Sequence, residues 1–239
     1  MKITKNNTKN HSIYNMKYFE ERDNLDLRLA ETIKLFMQAH KLKTVLDVGC
    51  GTGLLVKFLN KNHFKATGCD TENEAIRTAK RINNVNVIKA SATNLPFNKN
   101  TFDLITSVSV IEHLTPGDVI SFIIQTKRIL KPHGYVFFVT PNYATPIRLL
   151  QGKKWFGYSD PTHINFYTPK SLAQILKDYG FTDTRTRFKT KVNLPFDWDL
   201  PGFFRYLPKP IVNVLTYLLV STPFSNVRNS FWIAAKKHE

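Results

Sequence analysis

The sequence predicts a doubly wound α/β fold, in which helices cover both faces of a mainly parallel sheet. Two observations support this prediction. Apolar segments of strand length alternate with segments of helical spacing over most of the chain, and a glycine-rich turn joins the first strand to the helix after it. Hydrophobic residues make up 42% of the 239 residues, which is enough to bury the core of one large domain.

The first half of the chain contains an N-terminal predicted helix and four predicted strands. Apolar residues recur at helical spacing from Leu25 to His40. The strands are TVLDVG, KATGCD, VNVIKA and FDLITSVSV. A helix opens at Leu54 after the first strand, and Thr71–Glu74 predicts a capping box for the helix after the second strand.

The second half continues the alternation with three more predicted strands, GYVFFVT, FTDTRTRFK and SFWIAAKK. Thr115 and Pro116 predict the start of a helix that runs to about Leu130, and Thr168–Pro169 predicts another that ends at Tyr179. In doubly wound sheets, ligands bind at the carboxyl ends of the strands, near the switch in strand order. The glycine-rich turn is therefore expected at the ligand-binding edge.

That turn, VLDVGCGTGLL, has a spacing that speaks against a dinucleotide. The dinucleotide fingerprint is G-x-G-x-x-G, whereas here Gly49 and Gly51 are followed by Gly53, and Leu54 stands where the third glycine belongs. Asp47 precedes the turn at the end of the strand. An acid at this place would repel a pyrophosphate but suits a ligand that carries an ammonium or sulfonium group.

The turn, together with four segments that follow it in order, resembles the class I S-adenosylmethionine-dependent methyltransferases. These segments are GCD at 68–70, ASATNLPF at 90–97, FDLITSVSVIEHL at 102–114 and RILKPHGYVFFVTPN at 128–142. The resemblance runs from about residue 25 to 190 and includes the final strand. It implies a Rossmann-like sheet of seven strands with the last strand antiparallel.

The resemblance also implies S-adenosylmethionine as the cofactor. The glycine turn would hold its methionine portion, the two oxygens of Asp70 would accept both ribose hydroxyls, and ASATNLPF would flank the adenine. The family often has an acid where Ser91 stands, so one adenine contact differs here. The predicted cofactor-binding residues are Asp47, Gly49, Cys50, Gly51, Gly53, Asp70, Thr71, Ser91, Ala92 and Ser107.

Two residues just after the fourth strand, Glu112 and His113, are the candidate catalytic residues, because this strand lies beside the transferred methyl group in the family. Histidine exchanges protons near neutral pH and can act as a general base. A structural contact to the cofactor or the next helix is the open alternative for His113.

A magnesium-assisted mechanism is a second alternative. The O-methyltransferases of ubiquinone biosynthesis and the small-RNA 2′-O-methyltransferases carry E-x-x-E-H at this place. Here Ser109 replaces the first glutamate, which leaves Glu112, His113 and His163 as possible ligands. We therefore expect no resident metal.

The whole chain, 1–239, is predicted to form a single methyltransferase domain. Residues 1–40 would form an N-terminal helical cap and 41–140 the cofactor-binding core, with substrate-side insertions at 141–168 and 193–227. Both insertions are rich in aromatic and basic residues and would cover an apolar or aromatic substrate, with contact to a membrane surface as the alternative. The predicted substrate contacts are Trp155, His163 and Tyr167.

The net charge of +16 suggests an anionic partner, such as nucleic acid or an acidic membrane, or simply a lysine-rich surface. We favour the surface, since residues 1–140 and 141–239 each net +8 and neither end is a basic tail. Cys50 and Cys69 are too few for a disulfide framework, and the N-terminus lacks the apolar core of a signal peptide. Both features predict a cytoplasmic protein with reduced thiols.

The function predicted from the sequence is methyl transfer from S-adenosylmethionine to a small molecule, at an oxygen rather than a nitrogen or carbon. An RNA methyltransferase is the first alternative, because of the charge. A protein of another class, which keeps the methyltransferase fold but binds an acidic surface without catalysis, is the second. The sequence does not predict the acceptor or the oligomeric state.

Overall fold

The computed structural model describes residues 24–190, 206–221 and 228–239. The first 23 residues of the predicted N-terminal cap lie outside the described residues, as do residues 193–205 and 222–227 of the second predicted insertion.

Seven strands form one sheet, and eight helices and two 3₁₀ turns complete the described part of the chain. The strands are β1 Thr44–Val48, β2 Lys65–Asp70, β3 Val87–Lys89, β4 Phe102–Val108, β5 Leu130–Pro141, β6 Phe181–Arg185 and β7 Ser230–Lys237. The helices are α1 Leu27–Ala39, α2 Leu54–Lys61, α3 Asn73–Arg81, α4 Pro116–Ile129, α5 Pro146–Gln151, α6 Phe156–Ser159, α7 Pro169–Asp178 and α8 Lys209–Ser221, with 3₁₀ turns at Ile111–His113 and Gly152–Lys154.

The order of the strands is β3-β2-β1-β4-β5-β7-β6. Strands β1 to β5 pair in parallel, whereas β7 runs antiparallel to both β5 and β6. This confirms the predicted seven-stranded sheet with an antiparallel last strand. The strand order switches direction between β1 and β4, so the loops after these two strands flank the crevice where such sheets bind ligands.

The core has two layers because consecutive side chains along a strand point to opposite faces of the sheet. Leu104 and Phe137 contribute to one apolar cluster, with residues of α1 and α2, whereas Ile105 and Phe138 contribute to the other, with residues of α4 and α7. Both faces are covered, which explains why β1, β4 and β5 read as nearly continuous apolar runs in the sequence.

Two details differ from the sequence prediction. The capping box expected at Thr71–Glu74 does not form: α3 begins at Asn73, and its N-cap, Glu72, makes no side-chain cap hydrogen bond. The Glu72 N–H is instead 2.9 Å from the Asp70 carboxylate, which organises this turn. The strand predicted over FTDTRTRFK ends at Arg185.

The insertion at 141–168 is anchored to the sheet through a buried tryptophan. Trp155 has no exposed surface, and its indole Nε1–H donates to Asn229 Oδ1 at 3.2 Å, just before β7. Asn142 adds two bonds to the same stretch, from its N–H to the Asn229 carbonyl and from its side chain to the Arg228 carbonyl. In the described ranges, no helix is long and apolar enough to cross a membrane.

Trp155→Ala is expected to lower the free energy of unfolding by about 3–5 kcal/mol, because it empties a buried site and leaves the Asn229 amide without its partner. Denaturant unfolding followed by circular dichroism measures this change. Leu150→Ala is the matched control in the same insertion: its side chain is 87% exposed, so a change within about 0.5 kcal/mol is expected. Equal effects of the two substitutions would contradict the proposed anchor.

Candidate active site

A cavity of about 520 Å³ opens at the carboxyl ends of β1, β2 and β4. Its wall consists of the glycine turn, the end of β2, residues 90–92, residues 108–110 with 113–114, and the first residues of α1. Eight of the ten predicted cofactor residues line it: Asp47, Gly49, Cys50, Gly51, Asp70, Thr71, Ser91 and Ala92. The other two, Gly53 and Ser107, do not.

The glycines of the turn serve different purposes. Gly49 has φ +74°, and a Cβ added there would stand 2.3 Å from Val110 Cγ2, so a side chain would collide with the loop after β4. Gly51 has φ +53°, and an added Cβ would meet nothing within 4 Å. The turn thus brings bare backbone to the cavity at Gly51. Gly53 instead allows close packing of α2, since its Cβ would lie 2.7 Å from Val85 Cγ2.

Asp70 ends β2 and ties the turn to that strand. Its Oδ2 accepts the Gly51 N–H at 2.8 Å, and its Oδ1 accepts the Glu72 N–H at 2.9 Å. A carboxylate has about four acceptor positions, so each oxygen keeps acceptor capacity after these two bonds. The geometry fits the predicted pair of ribose hydroxyls.

Asp47 places a buried acid in the cavity wall. It is 5% exposed, and its Oδ1 accepts the Thr106 hydroxyl at 2.7 Å. Burial raises the pKa of Asp47 to about 7, and the charge of Asp70 adds to the rise despite the Thr106 hydrogen bond. A cation bound in the cavity would favour the ionised carboxylate, so this acid fits a ligand that carries a sulfonium and an ammonium group.

Two predicted cofactor contacts, Ser91 and Ser107, differ in their hydrogen bonding and in their position relative to the cavity. The Ser91 hydroxyl lies 2.9 Å from the Thr93 hydroxyl and remains on the cavity wall. Ser107 is 2% exposed, and its hydroxyl has no hydrogen-bond partner among the residues that the structure describes. It lies beneath the cavity rather than on its wall.

His113 lines the cavity, whereas Glu112 does not. Glu112 is 1% exposed, and its carboxylate accepts the Thr140 hydroxyl at 3.0 Å. Its carbonyl accepts the N–H groups of Ile164 and Asn165, so Glu112 joins the end of β4 to the insertion. Burial raises the pKa of Glu112 to about 7. This geometry favours a structural role for Glu112 over direct proton transfer.

The contacts of His113 indicate which ring nitrogen carries the proton of the neutral imidazole. Its Nδ1 lies 2.8 Å from the Thr162 hydroxyl and 3.2 Å from the Thr162 carbonyl. That hydroxyl donates its single proton to Asp160 Oδ1 at 2.5 Å. Burial opposes ionisation of Asp160, but hydrogen bonds from Thr162 outweigh it and lower the pKa of Asp160, so its carboxylate only accepts. Both neighbours of Nδ1 are therefore acceptors, which assigns the proton to Nδ1 and the lone pair to Nε2.

None of the three predicted substrate contacts lines the cavity. His163 lies next to a residue that does line it: its ring centroid is 4.7 Å from that of His113. Its Nδ1 lies 2.8 Å from the Gly157 carbonyl oxygen. Trp155 is buried in the insertion, and Tyr167 is 7% exposed, with burial raising its pKa to about 12. The two aromatic residues pack the insertion onto the sheet.

The alternative metal ligands, Glu112, His113 and His163, do come together. One donor atom from each lies within 4.8 Å of the others. Two of these donors are imidazole nitrogens, whereas magnesium prefers oxygen donors. The set therefore fits magnesium poorly, and we derive no step through a metal.

The sequence prediction missed several contributors. Asp160 and Thr162 were not predicted, although their D-P-T spacing is typical of a turn closed by an aspartate side chain, and the Thr162 N–H does donate to Asp160 Oδ1 at 3.0 Å. Val110 and Leu114 form an apolar part of the wall next to His113. Ser109, which replaces the glutamate of the metal motif, has φ +53° and also lines the cavity.

The chain is similar to a known family of proteins. The family described as "Methyltransferase domain" matches residues 18–186, so the chain belongs to this family. Its Rossmann-like fold is shared with solved S-adenosylmethionine-dependent methyltransferases.

Similar curated proteins include ubiquinone biosynthesis O-methyltransferases. The one from Rickettsia typhi is 28% identical over 218 residues, covering 82% of this chain and 84% of the relative. The one from Nitrosospira multiformis is 34% identical over 106 residues, which cover 42% of this chain and 44% of the relative. The match thus spans less than half the length of the latter protein.

Among solved structures, an S-adenosylmethionine-dependent methyltransferase from Archaeoglobus fulgidus has a TM-score of 0.60 at 20% identity, covering 92% of this chain and 98% of that one. A Thermotoga maritima methyltransferase, described as a possible histamine N-methyltransferase, has a TM-score of 0.61 at 18% identity, covering 92% and 93%. These similarities establish the shared fold.

The affinity for S-adenosylmethionine is expected to fall as the pH is lowered from about 8 to about 6. The Asp47 carboxyl has its pKa raised to about 7, so it is mostly ionised at the upper pH and mostly protonated at the lower one. Loss of this charge weakens cation binding by up to about tenfold per pH unit below the pKa. Calorimetric titration at several pH values measures the dependence.

Asp47→Asn is the control, because the amide keeps an acceptor for Thr106 but has no charge to lose. The variant should bind more weakly at pH 8 and show a flat profile. A wild-type slope that persists in the variant would assign the pH dependence to another group.

Proposed function

We propose that this methyltransferase transfers the methyl group to an oxygen of an apolar or aromatic small molecule, with His113 as the general base. The observation that carries the proposal is the imidazole of His113, which lines the cofactor cavity with its proton held on Nδ1 by acceptors. Its Nε2 therefore has a lone pair to receive a proton from an acceptor hydroxyl.

S-adenosylmethionine supplies a methyl group that is already activated by a positive sulfur. The chain's residues hold and orient the reactants: Asp70 and Gly51 would hold the ribose and methionine portions, and Asp47 would balance the positive charge. His113 Nε2 would accept the hydroxyl proton as the acceptor oxygen replaces the sulfur on the methyl carbon, and S-adenosylhomocysteine would be the leaving group. The ionised Asp160, linked through Thr162, favours the resulting imidazolium.

The wall beside His113 supports an apolar acceptor. Val108, Val110 and Leu114 line this part of the cavity. Oxygen as the acceptor atom is supported by the relatives, several of which are named as O-methyltransferases of ubiquinone biosynthesis. A hydroxyl also needs a base more than an amine does, which agrees with an oriented imidazole at this place.

An RNA methyltransferase is the second candidate, favoured by the net charge of +16. A fold that binds the cofactor without catalysis is the third. An assay with isotope-labelled S-adenosylmethionine separates the three. We expect label on hydroxylated aromatic compounds and none on RNA. Label on RNA alone, or on amines alone, would overturn the proposal, as would tight cofactor binding without transfer to any compound of the panel.

His113→Ala is expected to lower kcat by about 10²–10⁴-fold, because the variant has no imidazole to accept the hydroxyl proton of the methyl acceptor. The affinity for S-adenosylmethionine should change by less than about threefold, since the other cavity contacts remain. Steady-state kinetics and calorimetry measure the two effects. His238→Ala, an exposed histidine near the C-terminus, is the matched control and should leave both unchanged. A fall in cofactor affinity equal to the fall in kcat would instead favour the structural role of His113.

Activity should survive EDTA and show no response to added magnesium. Two of the three candidate ligands offer imidazole nitrogen, whereas this ion prefers oxygen donors. Initial rates with chelator, and with magnesium restored, measure the dependence. A loss of activity with EDTA that magnesium reverses would show that Glu112, His113 and His163 close around an ion.

A further inference from the structure

We propose that the enzyme docks on anionic membranes through a surface formed by α5 and the turn that follows it. We call this the α5 surface and define it as Arg148, Leu149, Leu150, Lys153 and Lys154. The proposal goes beyond methyl transfer and does not depend on which acceptor is used.

The apolar part of the α5 surface is unusually open to solvent. The side chains of Leu149 and Leu150 are 73% and 87% exposed, more than any other leucine, isoleucine or valine that the structure describes. Two adjacent leucines at the end of a short helix contribute nothing to the core. They bury apolar area only if another phase or molecule covers them.

The charged part of the surface selects an anionic partner. Arg148, Lys153 and Lys154 flank the two leucines, and both lysines are exposed. No acidic residue occurs between Asn142 and Ser159. Cations next to inserted leucines suit a membrane with negative headgroups, because the leucines would contact the acyl chains and the lysines would pair with the phosphates.

The surface is held by contacts within the insertion that also positions His113. Gly152 ends α5, and Trp155 anchors the turn in the core. The Arg148 guanidinium lies 4.1 Å from the centre of the Tyr143 ring and also donates to the Tyr143 carbonyl. The same insertion continues to Thr162, which holds His113. A membrane bound here would therefore contact the same insertion that positions the proposed base.

A membrane explains this surface better than RNA does. Single-stranded RNA is bound by cations together with aromatic rings on which bases stack. The side chains exposed most strongly here are aliphatic, and they would remain in contact with water beside an RNA backbone.

Sedimentation of the full chain with lipid vesicles tests the proposal. We expect binding to vesicles that contain about 30% phosphatidylglycerol, weakened by salt, and little binding to phosphatidylcholine alone. Leu149→Glu with Leu150→Glu should lower the partition coefficient by about tenfold or more, and so should Lys153→Glu with Lys154→Glu. Calorimetry with S-adenosylmethionine verifies that each variant is folded.

A matched control makes the same aliphatic-to-glutamate change at two exposed residues outside the α5 surface. Ile82→Glu with Ile124→Glu replaces residues that are 59% and 50% exposed, at the end of α3 and on α4. It lowers the net charge as much as the double leucine variant does, yet its vesicle binding should stay within about twofold of wild type. An equal loss of vesicle binding in both variants would show that the net charge alone causes the effect, and this would overturn the proposal.

Insertion has a separate readout. Leu150→Trp should show a blue shift of fluorescence on anionic vesicles, and an unshifted spectrum would contradict insertion at this residue. Binding that survives the double leucine variant but is lost in Ile211→Glu with Val214→Glu would assign the contact to α8 and overturn the α5 assignment. Binding to RNA without binding to vesicles would overturn the proposed membrane contact in favour of nucleic acid.

Discussion

The active site depends on the carboxylate of Asp70, which holds together two loops that the sheet brings side by side. Parallel pairing of β1 and β2 sets Val48 opposite Cys69, and the Cys69 carbonyl accepts the N–H groups of both Gly49 and Cys50. Asp70 then accepts the next N–H, that of Gly51. Three successive backbone N–H groups thus bond to the end of β2, which fixes the turn before any ligand arrives. The cavity is preorganised by these bonds, so the cofactor meets a rigid wall with a buried acid in it.

A second set of contacts connects the cofactor side to the substrate side. The Glu112 carbonyl accepts two N–H groups from the insertion, and the Thr162 hydroxyl holds the ring of His113. These bonds join the loop after β4 to a segment about 50 residues further along the chain. The orientation of the proposed base therefore depends on the same insertion that carries the buried Trp155 and the exposed leucines. A change in the position of the insertion would alter the orientation of His113. We therefore expect acceptor binding and the orientation of the base to be coupled.

The sequence was sufficient for those parts of the site that local patterns encode. The spacing of Gly49 and Gly51, and the acid that ends β2, predicted the cofactor edge because backbone conformation and strand ends leave a local signal. The orientation of Glu112 and the partner of His113 left none, since both are decided by tertiary contacts with residues 160–165. The sequence predicts Trp155 as a substrate contact, whereas its side chain is fully buried, because an aromatic residue gives the same local pattern in a core and in a binding site. The capping box at Thr71–Glu74 does not form because α3 begins two residues after Thr71, with Glu72 as its N-cap and with the Glu72 N–H bonded to Asp70.

Calorimetric titration of S-adenosylmethionine into the wild-type chain and into Asp70→Ala tests the central claim most directly. Asp118→Ala, which alters another part-exposed aspartate, at the first turn of α4, is the comparison variant. The account predicts saturable binding to the wild type, binding within about threefold for the comparison variant, and a loss of about 100-fold or more for Asp70→Ala, since both the ribose acceptors and the anchor of the turn are removed. Unchanged binding to a folded Asp70→Ala chain would contradict it.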